Sequence, residues 1–217
     1  SLNSFSEVVI NKKDREKIRF YEKYIETLPR QGRLITFISK LFNKASERSA
    51  QNNDPIGENK SLIIALSKYY GADDILKFIN DNKEIRINNN RHTIYGRSDL
   101  SKYFIIAAGI SLITNQESIG LDNIKEYIIQ FTYGDNISAW VLLASKAGLR
   151  LAENSTKSLE SARQTQMILS NIKSDRELLP DLSEDFSHSN EIFSIEDVEE
   201  LSEIIDIYLD QTYIFKN

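Results

Sequence analysis

Four side chains carry most of the chemistry this sequence offers: Glu58, His92, Asp99 and Asp181. Each is polar and sits beside an apolar segment. A pair of carboxylates with one imidazole is enough for general acid and base catalysis if burial moves one pKa toward neutrality. Converging in one cleft, the four would act as acid, base or metal ligands in a hydrolase of envelope polymers or peptides. Each also has an ordinary structural reading. Ser98 or Asp99 can cap a helix, Glu58 suits the positive end of a first turn, and His92 fits a surface strand.

Other constellations are weaker. Glu196, Glu199, Glu200 and Glu203 recur at helical spacing, but no calcium-loop pattern and no His-x-x-x-His pair accompanies them. They read as a solvated acidic face, with Glu199, Glu200 and Glu203 as the candidate partner-binding residues and no metal. Gly96-Arg97-Ser98-Asp99-Leu100 starts like a nucleophile elbow and lacks the closing glycine. Ser170-Asn171-Ile172-Lys173 satisfies Ser-x-x-Lys without a Lys-Thr-Gly companion. Phosphate-binding and dinucleotide fingerprints are missing, so no cofactor is expected. The chain has no cysteine, which excludes disulfides, thiolate metal sites and cysteine nucleophiles together.

Charge is divided unevenly along the 217 residues, whose net charge is −5. Residues 1–102 hold 19 Lys/Arg against 13 Asp/Glu, whereas residues 103–217 hold 8 against 19. Such a split can draw the two ends together or leave an acidic face that repels nucleic acid and anionic lipid. The basic first 48 residues, with Phe20, Tyr21 and Tyr24, contain no recognised nucleic-acid module, so nucleic acid is not an expected partner; a protein or peptide is. The longest uncharged run, residues 103–116, is shorter than the ~20 apolar residues that span a bilayer. A start at Ser1 suggests a trimmed chain or a mature form without its signal peptide. Together with the lack of cysteine it points to the periplasm or secreted space, with the cytoplasm as the alternative.

The elements that must position these residues are mostly helical. Ile18, Tyr21, Ile25 and Leu28 recur at helical spacing up to Pro29, and Leu34, Phe37, Ile38, Leu41 and Phe42 line a second helix, which together suggest an amphipathic αα-hairpin over residues 1–48. A helix opens at Pro55 or Gly57 and stops at Gly71, and a short one covers 73–80. Residues 84–87 and 91–95 alternate about Asn88-Asn89-Asn90 and predict a small β-hairpin. It leads into an apolar central helix over residues 98–113. Helices follow at 122–132, 138–154 and 158–173, the last with Leu159, Ala162, Met167, Ile168 and Ile172 partly buried. Ser194 and Asp197 suggest the capped start of a final helix striped by Val198, Leu201, Ile205, Tyr208 and Leu209. The expected fold is mainly α: a single multi-helix domain of about nine helices over residues 1–217, around a central apolar helix and with one small β-hairpin. Residues 1–48 would pack on a 55–217 core.

Three blocks carry a resemblance. They are Gly57-Glu58-Asn59-Lys60, Gly96-Arg97-Ser98-Asp99-Leu100-Ser101-Lys102-Tyr103-Phe104, and Ala144-Ser145-Lys146-Ala147-Gly148-Leu149-Arg150-Leu151-Ala152-Glu153, with a late Leu179-Pro180-Asp181-Leu182. Over roughly residues 55–185 the chain resembles an uncharacterised family of apparently exported bacterial proteins. The family pattern has a histidine where this chain has Tyr103 and acids where it has Val141 and Ser145. The resemblance implies no reaction, and those departures would leave any site built on these positions incomplete. Poor supply of catalytic groups and the charge split favour a non-catalytic helical interaction or ligand-binding protein; the hydrolase is the alternative.

Overall fold

The computed structural model describes residues 12–72, 91–113, 136–182, 192–194 and 197–216. Their elements are, in order, α1 (Lys12–Glu26), β1 (Gln31–Arg33), α2 (Leu34–Asn52), α3 (Pro55–Tyr69), β2 (Arg91–Thr93), α4 (Ser98–Ile113), β3 (Asn136–Ser138), α5 (Ala139–Thr156), α6 (Leu159–Ser170), α7 (Asp175–Leu178), β4 (Ile192–Ser194) and α8 (Val198–Asp210), followed by a 3-10 turn at Tyr213–Phe215. The protein is mainly α-helical, as its periodicity predicts. The expected helices at 73–80 and 122–132 and the strand at 84–87 lie outside the described residues.

Helix α3 begins where its local chemistry demands. Asp54 accepts a hydrogen bond from the Gly57 N–H (3.1 Å), and Pro55 occupies the first turn, where a missing N–H costs nothing. Before it, Asn53 ends α2 in the left-handed region at φ 56°, which asparagine tolerates better than most residues. Helix α4 packs along α5 and against α3, and nearly every side chain from Leu100 to Ile110 is buried. Helix α3 is buried as completely, so the interior is shared by α3, α4 and α5. Gly148 makes the α4–α5 approach possible, since a Cβ there would collide with the Phe104 carbonyl oxygen.

The first two helices both lie on α3, and α2 also covers α6. They meet each other through long side chains: the Arg48 guanidinium lies 3.8 Å from the Phe20 ring centre, and the Lys44 ammonium 5.1 Å from that of Tyr24. The strand expected at 91–95 forms over Arg91–Thr93. Its described partner is β1, in parallel, with Gln31 opposite Arg91, Gly32 opposite His92 and Arg33 opposite Thr93. Alternation in a sequence fixes the faces of a strand and leaves its partners open, so pairing with the segment that joins α1 to α2 was not legible, and the expected partner at 84–87 lies outside the described residues. A second small sheet pairs β3 with β4 antiparallel.

Helix α6 departs in part from its expected face and α8 from its expected start. In α6, Ala162 is buried and Ile168 half-buried as expected, with Ile172 buried just beyond it, but Leu159 and Met167 are exposed while Gln166 and Leu169 face inward. The cause is a buried amide network. Asn59 donates from Nδ2 to the carbonyls of Ser155 (3.0 Å) and Ala162 (3.1 Å), and its Oδ1 accepts from Gln166 Nε2 (2.9 Å), which also donates to Ser49 Oγ (3.0 Å). Helix α8 starts at Val198 instead of at a Ser194 cap, because Ser194 belongs to β4. Val198, Leu201, Ile205 and Leu209 still form its buried stripe.

Candidate functional site

Glu58 is fully buried in the first turn of α3, between α1 and α2. Its carboxylate accepts from Tyr21 O–H (2.6 Å), Arg48 Nε (2.6 Å) and Asn52 Nδ2 (2.9 Å). A buried carboxylate needs such compensation to stay charged. The effect on its partners is marked. Burial and then Glu58 push the Tyr21 hydroxyl far above its ordinary value. For Arg48, burial works downward but Glu58 outweighs it and holds the guanidinium above its ordinary value. At the other end of this seam, Lys17 and Lys13 pair with Asp54. Burial alone would raise Asp54; the Lys17 ammonium and the Gly57 N–H outweigh it and hold the carboxyl below the usual range.

His92 is not a surface residue. It is 1% exposed, and its ring stacks on Phe37 with centroids 3.9 Å apart. Its Nε2 lies 2.8 Å from the Pro29 carbonyl, which can only accept, so Nε2 carries the proton and Nδ1 accepts from Tyr70 O–H at 2.8 Å. Burial lowers the imidazole pKa against the opposing pull of the Pro29 carbonyl, so the ring is neutral near pH 7 with both nitrogens committed. It forms part of the wall of a cavity of about 240 Å³ that is also lined by Pro29, residues 31–33, Thr36, Phe37 and Lys40.

Asp99 does not cap α4. Both its oxygens are taken by the Arg97 guanidinium, at 3.1 and 2.7 Å, because an arginine two residues earlier competes successfully with the backbone N–H groups. Arg97 also lies over the Trp140 ring. It closes a two-residue turn in which Tyr95 (φ 53°) and Gly96 (φ 72°) both adopt positive φ between paired Ile94 and Arg97. Tyr95 is held there by three anchors: its N–H donates to Asp175 (2.9 Å), its O–H to the Leu179 carbonyl (2.6 Å), and its ring meets Trp140 edge-on. Asp181 pairs with Arg176 at 3.6 Å. Glu58, His92 and Asp99 thus have three separate sets of bonding partners. Among the described residues no three His, Asp or Glu side chains cluster as metal ligands would.

Glu199, Glu200 and Glu203 are exposed on α8, away from its buried stripe. Asp206 and Asp210, one and two turns on, are instead bound to α5: Lys146 reaches Asp206 (2.9 Å) and Ser202, and Arg150 reaches Asp206 (3.1 Å) and Asp210 (2.6 Å). The acidic end is therefore tied to basic residues of its own half of the chain. Beside the acids lie two large apolar side chains the sequence pattern did not single out, Ile204 (38% exposed) and Ile207 (60% exposed). At 100° per residue, Ile207 falls opposite Val198 and Leu209, a signal already present in the helical wheel. Lys40 on α2 and Arg33, the extended residue just before that helix, were readable only as two basic residues shortly after the Pro29 break.

The positions at which the resembled family carries His and acids, Tyr103, Val141 and Ser145, are all buried between helices. No family model matches the chain, and neither does any curated protein or solved structure.

Proposed function

We propose that this is a non-catalytic helical interaction protein that captures a basic amphipathic segment of a partner on the outward face of α8. The observation that carries the reading is Ile207, exposed on the side opposite the buried stripe with Glu200 and Glu203 beside it, and Ile204 exposed on the flank of the same helix. Apolar residues ringed by one sign of charge fit a helix with an apolar stripe and lysine or arginine flanks. The engagement of both oxygens of Glu58 and both nitrogens of His92 by structural partners supports a role outside acid–base catalysis. We place the protein in the bacterial envelope or secreted space, a reading supported by its cysteine-free composition.

The test uses a fluorescent Lys/Leu amphipathic peptide titrated into the intact protein by anisotropy. Burying most of Ile207 is worth about 1.5–3 kcal/mol, so Ile207→Ser should weaken binding by roughly tenfold or more. The triple change of Glu199, Glu200 and Glu203 to Gln should weaken it further and flatten its salt dependence, with folding intact. Binding unchanged in both variants would overturn the reading.

A further inference from the structure

We infer that the cavity beside β1 and β2 is a binding site for a small organic carboxylate, a monoanion with a compact apolar body. Its volume of about 240 Å³ lies below that of pockets for drug-sized ligands, roughly 300–1,000 Å³, and suits a molecule of about ten heavy atoms. The walls set two requirements. Pro29 and the Phe37 ring are apolar, and His92 presents only ring carbon there because both its nitrogens are committed. These surfaces reward an apolar body and give a fully hydrated ion nothing.

The mouth is positively charged. Lys40 is exposed and makes no ion pair or hydrogen bond among the described residues. Arg33 donates from Nη2 to the Lys173 carbonyl (3.2 Å), a neutral acceptor, and makes no ion pair among the described residues. Among the described residues no acidic side chain lines the cavity, and the Thr36 hydroxyl and the Gln31 amide add neutral polar groups. Two cations against one shallow apolar floor match a carboxylate head held at the rim with its body inside. Gly32, at φ 125°, brings the backbone past the cavity with no Cβ to narrow it.

The experiment is a titration of the full chain with benzoate, followed through the amide signals of Gly32 and Thr36 and the ring protons of His92. Neutral benzamide and inorganic phosphate serve as comparison probes. The expected result is saturable binding of benzoate in the low millimolar range, with benzamide and phosphate each roughly tenfold weaker. Lys40→Gln should weaken benzoate about fivefold to tenfold at unchanged thermal stability, whereas Lys44→Gln, one turn along and already paired with Glu47, should not. Four results would each overturn the inference: no saturable shift, benzamide binding as well as benzoate, phosphate binding as well as benzoate, or equal effects of the two lysine changes.

Discussion

Replacing Glu58 by glutamine separates a structural carboxylate from a catalytic one. The side chain keeps its shape and loses its charge, while three donors still point at it: Tyr21 O–H, Arg48 Nε and Asn52 Nδ2. The glutamine carbonyl can serve one or two of them. Its amide then faces another donor, and only the Tyr21 hydroxyl can rotate to accept. A hydrogen bond to a charged group contributes about 1.5–3 kcal/mol, and two of the three are compromised. The Arg48 side chain is 28% exposed, so solvent screens part of its charge and the loss falls short of the ~3–5 kcal/mol typical of breaking a fully buried pair. The expected destabilisation is about 2–4 kcal/mol, or a fall in Tm of roughly 5–15 °C for a chain of this size. Urea unfolding followed by circular dichroism measures it, and an unchanged m-value shows that the denatured state has not altered. Tyr21→Phe should cost about 1–2 kcal/mol alone and less on the Glu58→Gln background, since the two share one bond. A Glu58→Gln protein as stable as the parent, or more stable, would refute this reasoning. Surplus stability on losing a carboxylate is how strained catalytic groups behave.

Further expectations concern other parts of the molecule. Because burial depresses the His92 pKa in the folded protein, its contribution is fully present above the unfolded value near 6.5 and is lost as pH falls from there toward the folded value. Denaturation midpoints should decline over that window in the parent and lose this component in His92→Phe. Gly148→Ala should destabilise by about 3 kcal/mol, measured by thermal unfolding, because α4 and α5 must separate to admit the methyl group. Arg150→Ala should cost about 1 kcal/mol at low salt and less at 1 M, with the loss visible as faster amide exchange confined to α8.

What could be read from the sequence was whatever neighbouring residues decide among themselves. The limits of α4 follow from a polar head running into an uncharged stretch, and the start of α3 is narrowed to Pro55 or Gly57, with the Asp54 cap deciding for Pro55. Legibility ended where distant residues compete. Glu58 was placed correctly in a first turn, but its burial depends on Tyr21 and Arg48 arriving from two other helices. Asp99 looked like a cap until Arg97 claimed both oxygens. His92 looked like a surface residue because neither Tyr70 nor the Pro29 carbonyl can be associated with it along the chain. On α6 the expectation holds for Ala162, Ile168 and Ile172 and fails at Met167, because hydropathy ranks Met167 above Gln166, whereas a buried amide with both hydrogens engaged is the better core residue here.

The Asn59 amide has a bearing on how the chain finds a single arrangement. The apolar contribution of α6 from within its own span is one alanine and one leucine, Ala162 and Leu169, which set how deeply the helix sits but barely resist a slide of one turn. Asn59 belongs to neither α5 nor α6, yet its two N–H groups reach a carbonyl on each side of the turn joining them, at Ser155 and Ala162. A slipped α6 would strand at least one of those donors in the interior, so the misregistered states rise in energy while the native one is unaffected. The bend between α5 and α6 is thereby held by a third helix. An apolar residue at position 59 would leave a chain that still collapses but pauses among several alignments of its last helices.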